Sequence, residues 1–488
     1  MRGPYLETQG HDARPVLTAR ERFQRRMGQA GLALGILCAV VAMMVVFGYS
    51  ESYLLPPVYL LACIISFALL FAARKNLFSA LGIGALWYVV SFLLGVPFYL
   101  AVPELASRMP DHSLLALSVG LSLLALLGYA LGTLGPFQWI FRPVLRWVVR
   151  TKVPLRPGTH AQFVVLAAWV VVAGVARVAL GLEAAGIGER TVVPGTLAGI
   201  LGYTLRGGTL VLIGLFTYRV LGRGLVFLIE SIVLVAGYAV PTLLLGWKSA
   251  LIAPTVVFMT AFWYHAGRHG RRQSILWVLV LVALFPITMS IGQAERAGFL
   301  GGAAQYARGP TEFALKVVTR LDGNARFVAV LDHEMTQGMP SWTNNFKLIS
   351  LIRQGIMTVQ YADWYVFGHD PRRATSSSGA TGPGGAYIAM GVCGILLGFL
   401  IVGAAMKALY GLVNSLADPS LAIALYGMAV IHCHTLFVGN FGLELMAKRY
   451  FLYILLLFAA KMLLVSRQRP QPLPVVGRRR WAEPAGAP

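Results

Sequence analysis

Apolar residues run along this chain in blocks too long for a water-facing fold, and short polar or basic connectors close most of them. A helix needs about 20 apolar residues to cross the hydrocarbon of a bilayer. Twelve blocks approach or meet that demand, at 28–48, 54–72, 78–102, 113–134, 161–181, 194–218, 225–246, 250–265, 274–291, 386–409, 419–437 and 449–465. The eighth and the last are the shortest. The first lacks a small-residue exit, so it reads as a retained helix rather than a cleaved signal. The pattern predicts an all-α, polytopic membrane bundle of about twelve transmembrane helices. It divides the chain into a basic N-terminus (1–27), nine helices (28–291), a large extramembrane segment (292–385), three helices (386–465) and a basic tail (466–488).

Composition sharpens this picture. Of 488 residues, 57% are hydrophobic and only 12% charged, about half the charged share of a soluble domain. A soluble enzyme, a disulfide scaffold and a disordered regulator are thereby excluded. A net charge of +22 would suggest nucleic acid in a soluble protein. Here sidedness accounts for it, and no nucleic-acid partner is expected. With the N-terminus inside, the inner side holds twenty-four Lys and Arg, against five in the short outer loops (Arg108, Arg190, Lys248, Lys448 and Arg449). Basic residues stay cytoplasmic, so both termini are expected inside and the 292–385 segment outside. The acids lean the other way, with Glu312, Asp322, Asp332, Glu334 and Asp370 all in that segment. Acid–base chemistry is therefore expected at the outer face. Cys38, Cys63, Cys393 and Cys433 all fall in apolar blocks, which indicates neither a disulfide framework nor a zinc site.

The outer segment carries helical patterning rather than low complexity. Glu312, Lys316 and Arg320 recur at helical spacing beside Phe313, Leu315, Val317 and Val318. Asn324 can cap a second helix, from Arg326 to about Gln337. A third pattern runs from Asn345 to Val359, and the stretch from Ser376 to Gly385 is a small-residue link back into the membrane.

Charges inside apolar blocks narrow the chemistry. Arg206 lies near the centre of 194–218, where an arginine costs about 2.5–3.5 kcal/mol on insertion scales. Either Gly207-Gly208 breaks the helix and Arg206 faces a cavity or an anion, or the helix begins near Tyr203 and Arg206 snorkels outward. Arg177, close to the outer end of its block, has the same two readings. Lys248 sits in a tight outer turn, as an interfacial anchor or as part of a site. Together these cations would suit a pyrophosphate, which arginine can grip in bidentate fashion. Arg326, Asp332, His333 and Glu334 form the densest ionisable set in the outer segment, as a solvated helix surface or as a site; Arg353 lies in an otherwise apolar helix. His432 and His434, two apart, point in different directions and read as satisfied polar residues. Glu444, Lys448 and Arg449 read as an interfacial anchor, and Glu230 as the partner of a nearby cation. No nucleotide-binding loop, serine elbow or zinc-helix motif is present, so the substrate should carry its own activation, and no cofactor or metal is expected.

The stretch Ser378-Gly379-Ala380-Thr381-Gly382-Pro383-Gly384-Gly385-Ala386-Tyr387, running on through Gly391, Gly394 and Gly398, resembles Wzy-type O-antigen and oligosaccharide repeat-unit polymerases. There a polar loop passes through Gly-Glu-x-Tyr and small residues into a membrane helix. The tight basic turn Gly246-Trp247-Lys248-Ser249 and the arginine-led helix from Arg326 to Gly338 are also similar. Gly385 stands where the family often has the glutamate, Lys248 where an arginine is common, and Pro340-Ser341-Trp342 is shorter than the usual loop motif. The resemblance implies a GT-C-like membrane glycosyltransferase of the bacterial inner membrane. Its reaction would join undecaprenyl-pyrophosphate-linked oligosaccharide repeat units at the outer leaflet, beside a flippase and a chain-length regulator. It implies Arg177, Arg206, Lys248, Arg326 and Arg353 as pyrophosphate ligands, and Asp332, Glu334 or His333 as the base for the acceptor hydroxyl. An O-antigen ligase shares the architecture and donor, and a twelve-helix transporter or flippase shares the span count.

Overall fold

A computed structural model describes residues 40–50, 52–74, 76–103, 113–141, 143, 158–180, 195–244, 252–265, 322–337, 381–415, 419–438 and 443–464. Among these residues the chain is helical, with no strand. A short apolar helix, Val40–Tyr49, precedes α1 (Leu55–Ala72), which opens on two prolines where their missing N–H groups cost nothing. α2 runs over Ala80–Ala101. Ser79 caps its start, its side chain accepting from the Gly82 amide at 3.2 Å, and a π-helical turn, Val89–Leu93, interrupts it. α3 is Leu115–Leu134. α4, His160–Ala179, is capped by Thr159. α5 begins as Gly195–Gly202, passes through a π-helical turn, Tyr203–Gly208, and continues as Thr209–Val220. A turn with Gly222 and Gly224 at positive φ leads to α6 (Leu225–Leu244) and then α7 (Ile252–His265). The remaining helices are α8 (Asn324–Gln337), α9 (Gly382–Ser415), α10 (Ser420–Val438) and α11 (Leu443–Leu464).

Seven of the described helices, α1 to α5, α9 and α10, have the length and apolarity to cross a membrane. The architecture is that of a helical membrane protein. α7 is 14 residues long, shorter than a crossing requires. The expected ninth span and most of the 292–385 segment lie outside the described residues, as do the helix patterns at 312–320 and 345–359. α10 is the buried centre, touched by α2, α5, α7 and α9. Valines 164, 165, 171 and 172 of α4 and Leu225, Val226, Ile229 and Val233 of α6 are exposed, an arrangement stable against lipid and unstable against water.

Among the described residues the most extensive helix pair is α3 with α9. Where Gly128 meets the Leu396 carbonyl, an added Cβ would lie 2.6 Å from its oxygen. Gly132 faces the Leu400 carbonyl, and Gly403 the carbonyl of Tyr129, even more tightly. Small residues allow this backbone approach. α9 is also broken. Met390 (φ −147°, ψ 19°) and Gly391 (φ 61°, ψ −147°) leave helical geometry. Residues eight apart in a straight helix are separated by about 12 Å, yet the Ala386 carbonyl abuts Gly394. The segment Gly382–Ala389 therefore folds back beside the following helix as a short re-entrant piece.

Gly403→Ala should lower stability by about 1–3 kcal/mol, because the added methyl has a backbone carbonyl in its way. Gly120→Ala, whose methyl would meet only Val58 at 3.7 Å, should be neutral. Thermal unfolding of the two purified variants in one detergent checks the contrast.

Candidate functional site

Helix breaks, glycine contacts and aromatic side chains bring the informative charges to one end of the bundle. Arg177, in the last turn of α4, is 1% exposed and lies 5.0 Å over the Tyr238 ring of α6. It does not snorkel; a buried guanidinium on an aromatic face gains from the ring quadrupole. Arg206 sits within the π-helical turn of α5. The helix begins upstream of Tyr203, so Arg206 lies in a π-helical turn inside the helix rather than in its first turn. Gly207, next to it, is pressed against the Tyr453 hydroxyl of α11, and an added Cβ there would collide with that phenol.

α11 brings a further arginine. Arg449 lies 4.7 Å over the Tyr203 ring, at the start of the same π-helical turn. Around it, His432 stacks on Tyr453 at 6.0 Å with planes 8° apart, and its Nδ1 lies 3.4 Å from the Tyr450 hydroxyl. Arg449 exerts its charge on His432 and Tyr453, and Tyr453 interacts in turn with Tyr238 and Tyr203. Arg177, the turn bearing Arg206, and Arg449 thus share one aromatic wall. The anchor expected from Glu444, Lys448 and Arg449 is corrected in part: α11 starts at Leu443, so Arg449 stands inside a helix and faces the bundle. Leu443 and Met446 continue the apolar pattern upstream, the signal that could have revealed this. His434 packs on Trp87 at 4.4 Å, away from His432, and Arg326 of α8 is close enough to act on it electrostatically.

α8 is held by its first turn. The Gly323 amide donates to the Ser91 carbonyl at 2.7 Å, Asn324 Nδ2 to the Phe92 carbonyl at 2.9 Å, and Ser118 to Asn324 Oδ1 at 3.1 Å. Tyr59 donates to the Leu93 carbonyl at 3.2 Å. Carbonyls of the α2 π-helical turn are therefore occupied, three of them by groups from elsewhere in the fold. Asp322, 1% exposed, accepts from Asn324 Nδ2 at 2.8 Å and from the Ala325 amide at 3.3 Å. It also hydrogen-bonds Tyr99. Burial pushes the Asp322 carboxyl up to about 7 despite these donors.

The rest of α8 is buried along one face, with Met335, Thr336 and Gln337 exposed at its end. Phe327, Val328, Val330 and Leu331 are buried, and His333 is 9% exposed. Burial lowers the His333 pKa, and the neighbouring Asp332 raises it less. Asp332 and Glu334 are partly exposed, and Glu334 is near enough to Tyr387, on the re-entrant piece of α9, to act on it electrostatically. Lys248 and Arg353 lie outside the described residues. Among those described, no three His, Cys, Asp or Glu side chains gather as metal ligands. At the opposite end of the bundle, His160 Nδ1 lies 2.5 Å from Glu230 Oε1, so a histidine meets the acid for which a neighbouring cation was expected.

The anchorage of α8 should depend on pH. An acid whose folded pKa is raised contributes stability that is complete below its unfolded value, near 3.8, and lost as pH rises through about 7. Between pH 5 and pH 8 the loss should be about 3 kcal/mol. Asp322→Asn should flatten that slope; thermal unfolding or hydrogen exchange of α8 across this range reads it.

Compared with protein-family models, curated proteins and solved structures, the chain matches none, so its chemistry has to follow from its own residues.

Proposed function

We propose that the chain is a membrane glycosyltransferase that polymerises polyprenyl-diphosphate-linked oligosaccharide repeat units at the outer leaflet of a bacterial inner membrane. In this reading about twelve helices cross the bilayer, both termini are cytoplasmic, and the 292–385 segment covers the outer end of the bundle. The observation that carries the proposal is the convergence of Arg177, the Arg206 turn and Arg449 on one aromatic wall at the end where the acids of α8 lie. Each element reaches that wall with the end that the basic-residue count puts outside.

The chemistry asks for fixed positive charge and a base. The donor's anomeric C–O bond to the diphosphate breaks, and a C–O bond to the acceptor's sugar hydroxyl forms. The polyprenyl diphosphate leaves with the bonding pair. Arginines set beforehand on aromatic surfaces stabilise the charge that develops on it without reorganising. An acid on α8 takes the hydroxyl proton. Arg326, near His434, widens the positive field toward α8, and Lys248 and Arg353 belong to the same reading.

A second reading is a transporter of lipid-linked oligosaccharides. The breaks in α2, α5 and α9 favour it, since transporters build their sites on interrupted helices. A transporter moves its substrate without forming a glycosidic bond, and a ligase transfers the glycan to a lipid-A core sugar.

Deleting the gene should remove long surface polysaccharide while leaving single-repeat units, and the wild-type gene should restore it. Arg206→Ala, inserted at wild-type level, should lower polymer yield at least about 100-fold, the scale of losing a principal electrostatic stabiliser. Gel profiles of the surface polysaccharide read both. Full-length polymer from the variant removes Arg206 from the site; loss of single-repeat and long forms from the lipid core indicates a ligase; unpolymerised units retained on the inner leaflet indicate a transporter.

A further inference from the structure

The π-helical turn of α5 and the start of α11 meet at two points that share one spacing. Arg449 lies 4.7 Å over the Tyr203 ring, and the Tyr453 phenol packs on Gly207, where an added Cβ would collide with it. Tyr203 and Gly207 are four residues apart, and so are Arg449 and Tyr453. Each pair is thus about one turn apart on one side of its helix. The two contacts keep the same order along both elements, so α5 and α11 run in the same direction here. Arg206 falls between the two contact points of its own turn, and Arg206 and Arg449 are both partly exposed.

Tyr453 is fixed from behind. It is 2% exposed, and its ring lies parallel to that of His432 on α10 at 6.0 Å. Tyr450 meets both rings edge to face, His432 at 5.6 Å and Tyr453 at 5.7 Å. One phenol therefore ties the buried central helix, α11 and the turn that bears Arg206.

We infer that Tyr453 is a positioning residue of the proposed site: by clasping α11 to the π-helical turn it holds Arg449 and Arg206 in one register, and that register selects a lipid diphosphate over a lipid monophosphate. The inference rests on the diphosphate chemistry of the proposed function and gives it a specificity. Attraction between a cation and a ring consumes none of the guanidinium N–H donors, which remain able to meet phosphate oxygens. A diphosphate offers two adjacent phosphate groups, one to each guanidinium, whereas a monophosphate engages one. Only the diphosphate gains from a fixed spacing between the two cations.

The test measures binding of undecaprenyl diphosphate and undecaprenyl monophosphate to the full-length protein in proteoliposomes, beside turnover of lipid-linked repeat units. Tyr453→Leu, which opens the space at Gly207 and ends the stack on His432, should weaken diphosphate binding about tenfold, the scale of one hydrogen bond to a charged group, and leave the monophosphate unchanged. Gly207→Ala should do the same, because its methyl displaces the phenol. The double variant should bind no worse than the poorer single one, since leucine makes room for the methyl and residues in contact are not additive. Tyr453→Phe, which keeps both ring contacts and carries the test if Tyr453→Leu fails to insert, should show a smaller loss confined to the diphosphate. Equal losses for both lipids, or losses that add in the double variant, make Tyr453 a structural residue and overturn the inference. A wild-type protein that polymerises while binding both lipids equally overturns the clasp alone. A wild-type protein that prefers the diphosphate through Tyr453 yet forms no glycosidic bond overturns the polymerase reading and upholds the clasp.

Discussion

The structure depends on how closely α3 and α9 approach. In a bilayer, helix association draws little from the hydrophobic effect, because lipid tails are as apolar as leucine; packing and backbone proximity have to supply it. Gly128, Gly132 and Gly403 let each helix rest on carbonyl groups of the other. That contact fixes the membrane-crossing part of α9, and with it the point where the chain turns back at Met390-Gly391. α8 rests on both helices. A shift between α3 and α9 would loosen the seat of α8.

A second constraint explains why the helices break where they do. A carbonyl freed inside a membrane protein has to find a donor, or it costs several kcal/mol. In α2, Ser91, Phe92 and Leu93 receive Gly323, Asn324 and Tyr59, so the π-helical turn serves as a socket for the start of α8. In α5, Thr209 donates back to the Leu205 carbonyl at 2.8 Å, and the turn closes on itself. That leaves its outward surface for α11, which arrives with Tyr453 against Gly207. One break therefore docks a helix and the other presents an arginine; π-helical turns are common at such places.

Much of the helical architecture was legible because apolar block length is a strong signal, and the blocks at 54–72, 113–134 and 161–181 match α1, α3 and α4 within a few residues. Arg206 was legible for the same reason: a charge in such a block stands out, and Gly207-Gly208 hinted at the break. The re-entrant piece of α9 was not, because the Gly-Pro-Gly-Gly run at 382–385 reads as a link, whereas the helix already begins at Gly382. The contact of Arg449 with Tyr203 was not legible, since two adjacent cations before an apolar block look like an anchor, and only the early start of α11 places Arg449 within a helix. Asp322 gave no sign of its role either. An acid before a helix looks like an ordinary cap, and its burial arises from Tyr99 and Asn324, far apart from each other in sequence.

The separation of charges at this end of the bundle has a chemical logic. On α4 and α11 the cations meet aromatic faces, with Tyr238 under Arg177 and Tyr203 under Arg449. An aromatic ring steadies a cation through its quadrupole and leaves the charge itself in place, whereas a carboxylate partner in a low-dielectric setting would offset it. The proposed diphosphate site asks for charge of that undiminished kind, and the acids to which the proposal gives the proton stand on another helix, α8.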